Sequence, residues 1–370
     1  MYPFRSSFTA MSLALVVVFS VVACGGGASA PAPAPAAKSG EPAKPAASDK
    51  PAASDKPAAQ PATQAKPGAK KIDFAHINPP PESAATHFKW YAEEVTKRSN
   101  GDIAMTYHGG TLLTKEQEII DAVKSGNIQM GSSAGAASSV FPEMGVFLSP
   151  YLVRDYEHAY KMFNGDIGKE LAKTFEDKYK LKLMFFFDFG FRHFWNTKRP
   201  ITKPEDLKGL KMRVQQGQVF ATTVSGLGAS AVPMPWGEVI PGVQQGVVDG
   251  ADLPIVNIDL LKIYDVAKHV TMSYHNYGPT NVVMNVDFWK SLSPEQQKLL
   301  TDVGMETQAR IRKDTESVDS LEGAKKLLEP KGMQVVQGDI EAFRKVAQEQ
   351  IWPKLKDQYK DIWDRIVNTK

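Results

Sequence analysis

The chain has 370 residues, 42% of them hydrophobic and 23% charged, with a formal net charge of +3. This is ordinary globular composition, long enough for two domains, and the near-neutral balance gives no sign of a nucleic-acid partner. The single cysteine, Cys24, excludes an internal disulfide and any cysteine-based metal cluster.

The chain opens with Arg5 ahead of an apolar stretch from Met11 to Ala23. That stretch has the length of a signal-peptide core and falls short of the ~20 residues that cross a bilayer. It ends in Val21-Val22-Ala23-Cys24-Gly25, which resembles a bacterial lipobox. The expectation is a signal peptide over 1–23, cleavage before Cys24 and lipidation of its thiol. The plainer alternative is a secretory signal with an incidental cysteine. Residues 24–71 repeat Lys-Pro-Ala-Ala-Ser-Asp at Lys44–Asp49 and Lys50–Asp55. Such a segment has too little apolar surface to offset chain ordering and reads as a disordered tether, stiffened by proline.

The folded part follows, with strands and helices alternating as in an α/β fold with a mainly parallel sheet. Ile72–His76 predicts a strand and Ser83–Ser99 a helix, on the helical spacing of Ala84, Phe88, Tyr91, Ala92 and Val95. Asp102–Tyr107 alternates like a strand. Thr114 and Gln117 make a capping-box pattern ahead of a helix that Gly126 ends. Ile128–Met130 reads as a strand, and Asp155–Asn164 and Ile167–Tyr179 as helices. Leu181–Phe187 is a near-continuous apolar run, as in a buried central strand. Strands are predicted at Met212–Gln215, Val270–Ser273, Asn281–Val286 and Met333–Val336. Helices are predicted at Gln218–Ser225, at Trp236–Gln245, from Ser293 to about Leu328, and from Ile340 to about Val367 with an interruption near Pro353.

The chemistry concentrates between Gly190 and Pro254. Arg213 lies inside a predicted strand between apolar residues, where an unpaired charge is rarely tolerated. Arg192 precedes it by a short polar excursion. A guanidinium offers a planar fork that fits a carboxylate, so a small organic acid is the natural partner. Trp236 opens a helix after Pro233-Met234-Pro235, a junction where an indole can stack on a flat ligand group. Surface arginines bridging local carboxylates and a core tryptophan are the plainer alternatives. A competing motif, Gly131-Ser132-Ser133-Ala134-Gly135, fits the nucleophile elbow of a serine hydrolase, but the stretch after it is short and ended by Pro142. The seven histidines have no metal-binding spacing, and no nucleotide-binding glycine motif is present. No catalytic residue, metal or cofactor is therefore expected, and the chain reads as a non-enzyme.

Several stretches together resemble the periplasmic solute-binding proteins of TRAP transporters, the DctP-like family. They are Glu118–Gly126, Ser149–Ala159, Arg199–Arg213, Pro233–Val239, Gln245–Gly250 and Leu292–Gln297, and the resemblance covers Ile72 to about Val367. It implies a two-domain Venus-flytrap with a long helix spanning both domains. The domains would comprise 72–189 with 278–318, and 190–277 with 319–370. It also implies capture of a small organic acid in the cleft and delivery to small and large membrane subunits. The protein would be extracytoplasmic, in the periplasm or at the cell surface, held to the membrane by the Cys24 lipid. Arg213 matches the family's carboxylate-binding arginine, Arg192 its supporting arginine, and Trp236 the aromatic that packs on the substrate. Loops at His76–Glu82 and Gly131–Ala136, with His76, Glu82 and Ser133, would add contacts. Many members read Asp-Gly-Gln-Glu-Asn-Pro where this chain reads Asp249-Gly250-Ala251-Asp252-Leu253-Pro254. Leu253 cannot hydrogen-bond, at a cost of about 1–3 kcal/mol to a polar ligand group placed there. With Trp236, Phe191 and Trp195 it points to a monocarboxylate with an apolar or aromatic body. A C4-dicarboxylate or sugar acid is the alternative. An ATP-driven importer's binding protein would share the flytrap and anchor but lack the Arg192–Arg213 segment.

Overall fold

A computed structural model describes residues 65–133 and 137–370. The expected signal peptide, the Cys24 lipidation site and nearly all of the expected tether lie outside the described residues.

The chain begins with β1 (Lys70–His76), α1 (Ser83–Arg98), β2 (Ile103–Gly109), α2 (Glu116–Ser125) and β3 (Met130–Ser132). Glu82 caps α1: its carboxylate accepts hydrogen bonds from the backbone N–H groups of Ala84 and Ala85 at 3.2 and 2.8 Å. The capping box expected at Thr114 does not form. α2 starts at Glu116 behind Lys115, without a side-chain cap, and carries Glu116 and Glu118 in its first turn, where negative charge meets unpaired N–H groups. Gly126 ends it in the left-handed conformation at φ 79°.

Next come α3 (Ala137–Val140), α4 (Tyr156–Asn164), α5 (Asp166–Tyr179) and β4 (Leu181–Asn196). They are followed by β5 (Lys211–Val214), α6 (Gln218–Gly226), β6 (Ser230–Pro233), α7 (Val239–Gln244), β7 (Gly250–Leu253), α8 (Ile255–Leu260) and β8 (His269–Asn285). The chain closes with α9 (Val286–Lys290), α10 (Pro294–Val318), α11 (Leu321–Leu328), β9 (Gln334–Gln337), α12 (Ile340–Val346) and α13 (Trp352–Asn368).

These strands make one sheet in the order β2-β1-β3-β8-β4-β7-β5-β6, with β9 also on β8. Its flanks are parallel, as expected, but its centre is not: β8 runs antiparallel to both β3 and β4, and β4 antiparallel to β7. β4 and β8 are 16 and 17 residues long and pair antiparallel along most of their length at the centre of the sheet. The two short strands expected at 270–273 and 281–286 are the ends of β8. Its polar middle hid it, because His275 and Asn276 look like loop residues. Both are buried with partners: His275 faces Asp252, and Asn276 donates to the carbonyl of Leu148.

The helix expected from Ser293 to about Leu328 stops at Val318. Asp319 leaves the helix to accept hydrogen bonds from Tyr156 Oη at 2.5 Å and His193 Nε2 at 2.6 Å, and Ser320 then caps α11. α12 continues through a π-turn at Ala347–Ile351 into α13, and this C-terminal helical run is kinked at Lys360, where φ is 36°. Pro353 sits in the first turn of α13, a place proline tolerates.

Three apolar clusters hold the fold. One lies between α1, α10 and the sheet and includes Phe74, Phe88, Tyr91 and Phe185. A second surrounds β7, α7, α8 and α11 and includes Trp195, Val239, Ile258 and Leu328. The largest runs across both halves beneath the C-terminal helical run, from Ile119 and Phe147 to Phe220, Phe343 and Trp363. The fold is thus a two-domain α/β architecture of the periplasmic-binding type with a long helix over both parts.

Candidate functional site

Arg192 and Asp252 form a buried pair where β4 meets β7. Arg192 is 2% and Asp252 5% exposed. Nε of Arg192 donates to Oδ2 of Asp252 at 2.7 Å and Nη2 to Oδ1 at 2.9 Å, the bidentate geometry that suits a guanidinium. His275 on β8 completes the group, with Nε2 3.1 Å from Asp252 Oδ2 and Nδ1 2.9 Å from Ser273 Oγ. Burial alone would raise the Asp252 carboxyl, but the Arg192 charge outweighs it and holds the group far below the usual carboxylate range. Burial pushes His275 down, against the pull of Asp252.

Arg213 on β5 is different. It is 5% exposed, and its Nε donates to the carbonyl of Met234 at 2.8 Å. Among the described residues it forms no ion pair. Burial, with the nearby Arg192 charge adding to it, lowers its pKa to about 10, while Asp252 and Glu116 act the other way. The half-buried Trp236 ring lies with its centre 5.7 Å from the guanidinium carbon. A buried cation lacking a carboxylate of its own, beside an aromatic face, is a ready anion site.

Across from these, Glu116 sits in the first turn of α2. Burial raises its carboxyl, and the charges of His76 and Arg213 pull it back, so all three groups share one electrostatic neighbourhood. His76 is buried at the end of β1, with Nδ1 2.5 Å from Ser132 Oγ. Its Nε2 lies 3.4 Å from Glu82 Oε2 but makes no hydrogen bond. The two halves also meet directly, where Ser139 Oγ donates to the carbonyl of Gln216 at 3.3 Å and where α8 packs on α1 and α10.

Arg192, Arg213 and Trp236 therefore come together, with His76 and Glu82 in a second group. Phe191 and Leu253 do not join them. Phe191 is 4% exposed and packs against Tyr156, Tyr274 and Tyr277. Leu253 belongs to the apolar cluster of the second half, as does the fully buried Trp195. Successive strand residues point to opposite faces, so Asp252 turns to Arg192 while Leu253 turns to the core. Ser133 is buried, and its Oγ lies 3.2 Å from Thr280 Oγ1. Gly131 and Ser132 belong to β3, and the next described helix, α3, has only four residues, too short for the helix that a nucleophile elbow opens.

Sequence reasoning missed Asp252, His275 and Glu116. Strand alternation would have found Asp252 had Gly250–Leu253 been predicted as a strand. A shallow groove of about 460 Å³ elsewhere is lined by Lys161, Asp166, Asp364 and Arg365. Each of those charges already has a partner, in Glu157, Lys169, Lys356 and Glu170, so we place the site at Arg213.

Comparison with known proteins gives the family. Residues 74–358 match the family described as bacterial extracellular solute-binding protein, family 7. The C4-dicarboxylate-binding periplasmic protein DctP of Rhodobacter capsulatus is 33% identical over 223 residues, 60% of this chain and 66% of that protein. A TRAP periplasmic solute-binding protein of Pseudomonas putida F1, solved with bound D-glucuronate, superposes with a TM-score of 0.72 at 30% identity, covering 81% of this chain and 97% of the other. One from Sulfurospirillum deleyianum with bound succinate gives 0.73 at 27% identity, covering 82% and 100%. The ligands of these relatives are sugar acids and dicarboxylates. They favour the alternative in the sequence reading over an apolar monocarboxylate, whose support from Leu253, Phe191 and Trp195 disappears once those side chains are in the core.

Proposed function

From the premise that the chain belongs to the bacterial extracellular solute-binding proteins of family 7, we propose that it captures a hydroxylated organic acid, a sugar acid, between its two halves. As a TRAP solute-binding protein it works outside the cytoplasm with membrane subunits and binds small organic acids. The finer reading rests on one observation: Arg213 is buried beside Trp236 without an anion of its own among the described residues. The ligand carboxylate would pair with it, and Arg192, fixed by Asp252, would add positive potential behind. Glu116 supports the choice among acids. A carboxylate on the facing wall accepts hydrogen bonds from ligand hydroxyls, but repels a second ligand carboxylate. The Rhodobacter and Sulfurospirillum relatives keep a dicarboxylate in view as the second reading. We place the Cys24 lipid as the anchor to the membrane.

The test is calorimetric titration of the protein and of Arg213→Ala with D-glucuronate and with succinate. D-glucuronate should bind at least about tenfold more tightly than succinate, and the variant should lose about tenfold or more, as expected for a charge-assisted bidentate pair. Tighter binding of succinate would transfer the assignment to the dicarboxylates. Unchanged affinity in a folded Arg213→Ala protein would remove Arg213 from the site.

A further inference from the structure

Where α8 meets α1 and α10 lies a small, partly open cavity. A water centre has about 10 Å³ there, room for a single molecule. Its wall combines Glu82 and Ser83 from the start of α1, Asn257 from α8, and Asp188 and Thr315. Ser83 is 6% exposed and Asn257 2%. Ser83 Oγ and Asn257 Oδ1 are both buried and have no hydrogen-bond partner among the described residues. The two carboxylates are differently placed: Glu82 caps α1, while Asp188 accepts from Arg312 Nε at 2.5 Å and from the Tyr277 hydroxyl. Two unmet polar groups, one from each half, thus face the same one-water space, and burying both unmet is costly.

We propose that this cavity is the site of one ordered water that clasps the two halves together. The water accepts the Ser83 hydroxyl proton and donates one hydrogen to Asn257 Oδ1. Its second hydrogen is directed at the Glu82 or Asp188 carboxylate in the wall. That gives three hydrogen bonds, the usual number for a buried water. α1 follows β1 and α8 follows β7, so the clasp joins the lips of the interdomain cleft, with none of Arg192, Arg213 and Trp236 in its wall. It is too small to admit an organic ligand. It serves the approach of the halves seen in this structure, not recognition of the acid, and it holds whichever acid is bound.

A double-mutant cycle on the full chain tests this, read by urea unfolding at neutral pH without ligand. Ser83→Ala or Asn257→Ala removes one partner of the water and strands the other. Each should lower the folding equilibrium constant about fivefold, and the double variant only about tenfold rather than the twenty-five-fold of independent sites. Asn257→Asp, which keeps an acceptor oxygen, should retain the coupling to Ser83→Ala. Multiplicative effects in the double variant overturn the clasp. So does a high-resolution crystal structure with α8 on α1 as here and either an empty cavity or a direct bond between Ser83 and Asn257.

Discussion

Arg213, as the proposed anion site, would set function against stability within a single side chain. Its lowering to about 10 from the ordinary arginine value, by burial and by the nearby Arg192 charge against the pull of Asp252 and Glu116, corresponds to a net cost of roughly 3 kcal/mol at neutral pH. A bound carboxylate would recover much of it. The ligand-free protein therefore carries a local instability that only the ligand relieves. Arg213→Met, which keeps an unbranched apolar stem and drops the charge, should raise the ligand-free melting temperature by a few degrees, at ~2–4 °C per kcal/mol for 150–250 residues. It should also abolish acid binding. Differential scanning calorimetry with a parallel titration checks both, and a fall in melting temperature would mean that the charge is already compensated inside the fold. This residue was legible in the sequence because a cation between apolar strand residues has few explanations. Its neighbours were not. Asp252 was overlooked because an absent asparagine at Leu253 drew the argument one residue too far, to a side chain that points the other way. Glu116 looked like an ordinary acidic first-turn residue, and only the packing of α2 against the cleft distinguishes it.

At the scale of elements, the sequence yielded most helices and the short flanking strands, because these follow local periodicity. It did not yield the two long strands, because their pairing along most of their length is a property of burial. β4 breaks its alternation at Gly190, where φ is 90° and the ladder to β8 shifts register between Asp188 and Phe191. A Cβ at Gly190 would stand 2.4 Å from Thr315 Cγ2 on α10 and 3.0 Å from Tyr156 Oη. Tyr156 is the residue that holds Asp319 at the end of α10. A side chain here would strain the backbone and press on that junction together. Gly190→Ala should destabilise the protein by ~2–4 kcal/mol, measured by urea unfolding. Gly209→Ala is the comparison, with the same kind of φ, 83°, but open space around it. It should cost only the backbone term, ~1 kcal/mol. Equal losses at the two sites would show that contact with α10 carries no weight.

At the scale of the whole molecule, the buried histidines make stability respond to mild acid. Burial lowers His275 against the pull of Asp252, and burial lowers His158 against the bond from its ring to the Ile366 carbonyl. Both titrate below their unfolded value of about 6.5. Between the folded and unfolded values the unfolded chain holds more protons than the native one, so stability rises with pH there. It is fully present above about pH 6.5 and drains away as the pH falls through and below that value. Asp252 adds a later stage. Its folded value lies below the unfolded one of about 3.9, so its share is present above that pH and is lost only in stronger acid. The expectation is a two-stage acid profile. Each histidine contributes at most about 1.4 kcal/mol per pH unit below 6.5, and Asp252 at most the same below about 3.9, where the unfolded chain takes up a proton that the native carboxylate beside Arg192 does not. The two histidines also hold different joints, His275 the Arg192–Asp252 pair behind the binding site and His158 the contact between α4 and the end of α13. Urea midpoints of the wild type and His158→Asn between pH 7.5 and 5 separate them. The variant should lose part of the first-stage slope and keep the rest, which belongs to His275 and to the neighbourhood of the anion site. A midpoint that stays level or rises from pH 7.5 to 5 would require at least one of the two imidazoles to be charged and paired in the native protein.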